Sequence, residues 1–142
     1  MNGFLLDTNV VSEFRKRAEA NPKVLAWLET VADEELFLSV LVLGELRKGV
    51  ELARRKDRAK ARALEKWLEG LQRHYADRIL PVDEAASDQW GRLNAVRPIS
   101  TVDGLMAATA MVRKMTLVTR NVEDVAHTGT AVLNPFLQTT EQ

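Results

Sequence analysis

Phe4-Leu5-Leu6-Asp7-Thr8-Asn9 is the stretch on which the reading of this chain turns. A short apolar run ends in a carboxylate, two small polar residues follow, and Val10-Val11 resume the apolar pattern. The run predicts a buried strand over 3–6, and Asp7 or Thr8 as N-cap predicts a helix from Thr8 to about Lys16. That arrangement delivers Asp7 to the C-terminal tip of a strand, where ligands bind in open α/β sheets.

Outward from this stretch the chain alternates strands with helices. Asn21-Pro22 reads as a cap followed by Pro at the first helical position, and Val24, Leu25, Trp27, Leu28 and Val31 follow helical spacing. Glu35 to Ser39 predicts a strand, Val40 to about Arg55 a helix, and Asp57 to His74 a second helix. Arg78 to Val82 predicts a strand whose Pro81 ends it or puts it near a sheet edge. Glu84 to Val96 predicts a helix broken by Arg97-Pro98. Thr101 to Lys114 predicts one that is apolar nearly all round and so buried on more than one side. Met115–Thr119 and Ala131–Leu133 supply the last strands. The order implies an α/β fold: a three-layer α/β/α sandwich over a mostly parallel central sheet, with residues 1–142 as one domain.

Composition narrows the function. The 142 residues carry 20 basic and 20 acidic side chains, so net charge gives no global nucleic-acid signal. There is no cysteine, which excludes thiol nucleophiles, disulfides and zinc-thiolate sites. The N-terminal apolar run is too short for a signal peptide, and no run approaches the ~20 residues of a membrane helix. A cytoplasmic location is the expectation, with no membrane partner.

Four acids stand where ordinary surface charge does not belong. Asp7 ends a strand, with helix capping as its plain explanation. Glu45 follows Leu41-Val42-Leu43-Gly44 and shares a helical row with Leu41, Gly49 and Leu52. That row is expected to face the core, where a carboxylate needs compensation such as an ion pair with Arg47 or Arg120. Asp103 opens the most apolar helix, and Ser100 three residues earlier offers a capping box. Asn121 and Asp124 follow the strand ending at Thr119, with an ordinary capped turn as the bland explanation. Parallel topology gathers these positions at one edge of the sheet. Crowded carboxylates repel. A hard divalent cation, Mg²⁺ or Mn²⁺, relieves that conflict with oxygen ligands and retained waters, and such a site suits phosphate chemistry.

Leu5-Leu6-Asp7-Thr8-Asn9, Gly44-Glu45-Leu46, Thr101-Val102-Asp103-Gly104-Leu105-Met106-Ala107-Ala108-Thr109-Ala110 and Leu117-Val118-Thr119-Arg120-Asn121 resemble the four signatures of PIN-domain ribonucleases. More closely they resemble the VapC/FitB toxins of bacterial type II toxin–antitoxin pairs, from Phe4 to about Pro135. The resemblance implies Mg²⁺- or Mn²⁺-dependent endonucleolytic cleavage of RNA by a metal-activated water. It also implies a homodimer and a cognate antitoxin that occludes the site. By position, Asp7, Glu45 and Asp103 match the acidic triad, with Asp7 and Asp103 the most direct metal ligands. Thr8 and Thr119 hydroxyls are candidates to orient carboxylates or phosphate. The fourth position departs from relatives that carry Asp there: Asn121 stands in its place, and either Asn121 or Asp124 serves.

Two other readings bear on these residues. A phosphatase with an Asp-x-Asp pair is disfavoured because position 9 is Asn9. A PIN-like binding module without catalysis, acting through a partner protein, draws on Asn121. Residues 47–66 hold nine basic and three acidic side chains, read as a solvated hairpin or as a surface for RNA or antitoxin. Trp27, Trp67 and Trp90 sit in apolar helical stripes and read as core. His74 and His127 show no partner spacing and read as surface residues. Phe136-Leu137 reads as packing on the last strand or at a dimer seam.

Overall fold

The computed structural model describes residues 3–137. Within them the chain runs β1 (Phe4–Leu6), α1 (Thr8–Phe14), α2 (Pro22–Leu28), β2 (Leu36–Ser39), α3 (Val40–Arg54) and α4 (Arg58–His74). It continues through β3 (Ile79–Leu80), α5 (Glu84–Val96), α6 (Thr101–Arg113), β4 (Thr116–Val118), α7 (Val122–Val125) and β5 (Val132–Leu133). The helix starts are written in the sequence. Asp7, Asn21, Ser39, Asp57 and Asp83 each accept a hydrogen bond from a backbone N–H of the helix that follows.

All strand pairs are parallel, in the order β3-β2-β1-β4-β5. From β1 the chain steps outward to β2 and β3, then crosses back to β4 and continues to β5. Right-handed crossovers put α1–α4 on one face and α5–α7 on the other. The packing agrees: α1 meets α3, α3 meets α4, α5 meets α6, and α6 meets α7. This is the three-layer α/β/α arrangement expected from the alternation. Leu5, Leu6, Leu38, Leu117 and Val118 form the buried middle layer. Val10, Val11, Val42, Met106 and Ala107 cover it from the helices. Each Leu, Val or Met among them, taken fully from water, contributes about 1.5–3 kcal/mol. None of the described helices is long and apolar enough to cross a membrane.

Several expectations need correction. The row through Glu45 faces outward: Glu45, Gly49 and Leu52 are exposed, and the buried positions of α3 are Val42 and Val50. The run Val40–Leu43 is apolar on every face, so it does not say which side turns inward. The ion pair expected for Glu45 is absent among the described residues. Arg47 bonds Glu51 and Glu65 instead, and Arg120 stacks on Phe136 at 3.9 Å. Ser100 caps α6 by position only, for its hydroxyl donates to Asp103 Oδ2 at 2.8 Å, so no capping box forms. The helix ends at Arg113 because Lys114 turns left-handed (φ 59°), a conformation Lys does not advertise.

His74, read as partnerless, has a partner. Its Nε2 lies 3.0 Å from both carboxylate oxygens of Asp33, and Arg78 Nη2 donates to Asp33 Oδ2 at 3.1 Å. Arg78 Nη1 also donates to the Leu36 carbonyl at 2.9 Å, so the cluster ties the starts of β2 and β3 to the end of α4. Burial pushes the Asp33 carboxyl up, but the bonds and charges of His74 and Arg78 outweigh it and hold the group below its ordinary value of 3.8. A lowered carboxyl stabilises the fold above its unfolded value and loses that contribution as pH falls through the folded value. Asp33→Asn is expected to cost about 0.5–1 kcal/mol at neutral pH, a modest figure because the pair is solvent-screened. The deficit should shrink below about pH 4, as thermal melts of both proteins across an acid series will read.

Candidate active site at the switch point of the sheet

The chain leaves β1 in one direction and β4 in the other, so the sheet reverses its winding between these neighbours. The crevice beyond their C-terminal ends is where such sheets bind ligands. Asp7 follows β1 and Thr119 follows β4, and the register Leu6–Val118 sets them side by side. Asp7 is 9% exposed and Thr119 1%. The Thr119 hydroxyl donates to Asp7 Oδ2 at 2.7 Å, and the Thr8 N–H donates to Oδ1 at 2.8 Å. The capping explanation of Asp7 is therefore correct for one oxygen, while the other is fixed by the neighbouring strand.

Asn9 completes this joint. Its Nδ2 donates to Asp7 Oδ2 at 3.3 Å, and its Oδ1 accepts the Arg120 N–H at 3.1 Å. Asn9 thereby ties the start of α1 to the turn after β4. Sequence reasoning used Asn9 only as a motif letter and as a reason to set a phosphatase aside. Its place two residues after the acid, on the first turn of α1, was the signal available.

The other acids approach from the flanking helices. The Thr8 hydroxyl hydrogen-bonds Glu45 Oε1, fastening the second turn of α3 to the first turn of α1. Asp103, half-buried on the first turn of α6, is held by Ser100. Burial pushes the Asp7 carboxyl above its ordinary value of 3.8. The hydrogen bonds from Thr119 and Thr8 oppose that rise, and the charges of Asp103 and Glu45 add to it. Asp7 thus feels both other acids of the triad.

The surroundings differ from one acid to the next. Glu45 and Thr8 line a depression of about 220 Å³ together with Leu46, Val50 and Trp67. Trp67 is only partly buried there, unlike Trp27, which packs edge-on against Phe4 in the core. Asp103 lines a separate groove of about 380 Å³ with Asp124, Glu123, His127 and Arg97. Asp124 is exposed and shares that groove; Asn121 is exposed and contributes its backbone N–H to the Thr119 hydroxyl at 3.0 Å. Arg97 was read only as a helix breaker and His127 as a surface residue, since they lie in the segments before α6 and after α7 and only the fold brings them together. Among the described residues, no three Asp, Glu or His side chains form a ready-made metal-ligand set.

A family model described as the PIN domain matches residues 4–128. The chain belongs to the PIN domain family. Among curated PIN relatives it is similar to toxin FitB of Neisseria gonorrhoeae, with 35% identity over 93% of this chain and 97% of that protein. It is also similar to VapC ribonuclease Y4jK of Sinorhizobium fredii, again at 35% identity, over 93% of this chain and 96% of that one. Its PIN fold matches the crystal structure of FitAcB from Neisseria gonorrhoeae with a TM-score of 0.86 and 34% identity, covering 95% of this chain and 99% of the other.

Proposed function

We propose that this PIN domain is a Mg²⁺- or Mn²⁺-dependent endoribonuclease, the toxin of a type II toxin–antitoxin pair. The observation that carries the reading is Asp7: buried at the switch point, held by Thr119 and Thr8, and pushed up by burial and by the charges of Asp103 and Glu45. A ribonuclease name on one relative and a toxin name on another support it.

The donor set fits a hard cation that keeps most of its waters, because that kind of ion takes one or two protein carboxylates rather than a closed cage. Asp7 and Asp103 would hold it directly, with Glu45 and Asp124 acting through water. When bound, such an ion lowers the pKa of a water and stabilises charge on a phosphodiester. The residues themselves do the orienting. Thr119 and Asn9 fix the Asp7 carboxylate, Ser100 fixes Asp103, and the Thr8 hydroxyl fixes Glu45. Asn121, exposed in the turn after β4, would offer a neutral polar group to phosphate or water. An antitoxin closes such a site by offering a cation, most effectively an Arg, to the carboxylates. A homodimer is part of the same proposal.

The test is cleavage of RNA by the purified protein with Mg²⁺ or Mn²⁺, against EDTA, beside a melt with and without Mn²⁺. Metal-dependent cleavage and a raised melting temperature are expected, since a ligand of the native state stabilises it. Absence of cleavage with either metal would favour a second reading, a PIN-like binding module acting through its partner. That reading draws on Asn121, which leaves the fourth position without a charge.

A further inference from the structure

The hairpin of α3 and α4 carries a charge pattern that the active site does not use. Residues 47–66 have a net charge of +6, which leaves −6 for the other 122 residues of a neutral chain. Part of that charge is structural. Arg47 and Arg54 both bond Glu51 and Glu65, at 2.8–3.3 Å, and so lock α3 to α4. Both carboxyls are held below their ordinary value, chiefly by Arg54.

The remaining arginines do something else. Arg55, Arg58 and Arg62 are exposed and have no acidic partner among the ion pairs of the described residues. With Arg54 and Glu51 they line a concavity of about 550 Å³ at the turn between the helices. Arg58 and Arg62 stand one helical turn apart on α4, a like-charge spacing that costs a helix a few tenths of a kcal/mol. Like charges held on a rigid wall suit a ligand that carries several anionic groups at regular spacing. Arg55, the C-cap of the same helix, lies ten residues beyond Glu45, about 15 Å along its axis and within a quarter turn of its face. That span is short enough for one strand to engage both places.

We infer that the arginine-lined concavity between α3 and α4 is a second nucleic-acid site, binding backbone phosphates of a single-stranded RNA whose scissile bond lies at the carboxylates. The inference rests on the ribonuclease reading for the identity of the RNA, and on the arginines alone for the phosphate contact. Planar guanidinium groups bind phosphate in two-pronged fashion. Bound phosphates release counterions, so affinity falls with salt in proportion to the contacts made.

The experiment compares the chain with R55Q/R58Q/R62Q and with R55K/R58K/R62K. Binding of a labelled single-stranded RNA is followed by anisotropy across a salt series, with Asp7→Asn added to each protein to prevent cutting. Cleavage is followed separately without that substitution. The Gln variant is expected to lower the slope of log affinity against log salt by about 2. It should also raise KM several-fold for a long RNA while leaving kcat, and cleavage of a very short oligonucleotide, unchanged. The Lys variant should keep the slope. An unchanged slope in the Gln variant, or an equal loss in the Lys variant, overturns the inference. A protein that cuts no RNA yet loses slope removes the ribonuclease reading and leaves this site in place. One that cuts RNA with its slope intact in the Gln variant does the reverse.

Discussion

Asp7→Asn is expected to lower RNA cleavage by roughly a thousandfold or more while raising the melting temperature of the metal-free protein. The two effects share one cause. Burial, aided by Asp103 and Glu45, disfavours the charged Asp7 carboxylate in the fold. A raised carboxyl leaves stability untouched below its unfolded value, erodes it as pH rises to the folded value, and keeps the full deficit above. Removing the charge at neutral pH returns that deficit, by about 1 kcal/mol, or 2–4 °C for a chain of this size. The gain should fade as pH falls through the folded value and be gone below about pH 3, where the wild-type group is protonated in both states.

The substitution is nearly the same shape, so packing does not confuse the result. An amide oxygen still accepts the Thr8 N–H, but the amide N–H₂ replaces the oxygen that accepted from the Thr119 hydroxyl and Asn9 Nδ2, and the loss of those bonds subtracts from the gain. Melts of both proteins without metal, at neutral and acid pH, beside cleavage assays with Mn²⁺, measure it. A lower melting temperature for Asp7→Asn at neutral pH would mean that the bonds from Thr119 and Asn9 to the carboxylate outweigh burial, and the electrostatic account of the site would fail. Cleavage at the wild-type rate would remove Asp7 from the chemistry altogether.

How far these features were legible in the sequence depends on whether one residue or two segments had to be read. Asp7 was legible because strand end and helix cap coincide within Leu6-Asp7-Thr8, and both signals are local. The parallel sheet was legible from alternation alone, and Pro81 correctly marked β3 as short and at an edge. Glu45 was assigned to the inward face because Val40–Leu43 is apolar all round and Gly44 has no side chain to break the tie. Which side of α3 meets the sheet is decided by its contacts with α1 and α4, far away in sequence. Arg78 and His74 converge on Asp33 from more than forty residues on, which no spacing rule detects. The groove shared by Asp103, Asp124, Arg97 and His127 is likewise a product of α6 and α7 packing together.

Gly104 shows the same limit in a form that a single substitution tests. Beside Asp103 it reads as a motif residue or a weak point in a helix, and nothing in the sequence says what faces it. In the fold, a Cβ added there would stand 2.8 Å from Trp90 Cδ1, 3.0 Å from Trp90 Nε1 and 2.8 Å from Ile99 Cγ2. Trp90 cannot swing aside cheaply, since its ring is wedged between α5 and α6 with Nε1 already buried and without a partner. Gly104→Ala should therefore cost stability, about 1–2 kcal/mol net, although Ala is intrinsically the better helix former. Gly91 on α5 supplies the contrast, because a Cβ there would meet nothing within 4 Å. Gly91→Ala should gain up to about 1 kcal/mol from propensity alone. The first turn of α6 carries Asp103, so the Gly104 variant should also lose cleavage activity as that turn is pushed off Trp90, while Gly91→Ala keeps it. Thermal melts of the two variants moving in opposite directions would establish close α5–α6 approach as the reason for glycine. If both became more stable, Trp90 would have room to yield and Gly104 would be no more than a helix-weakening residue.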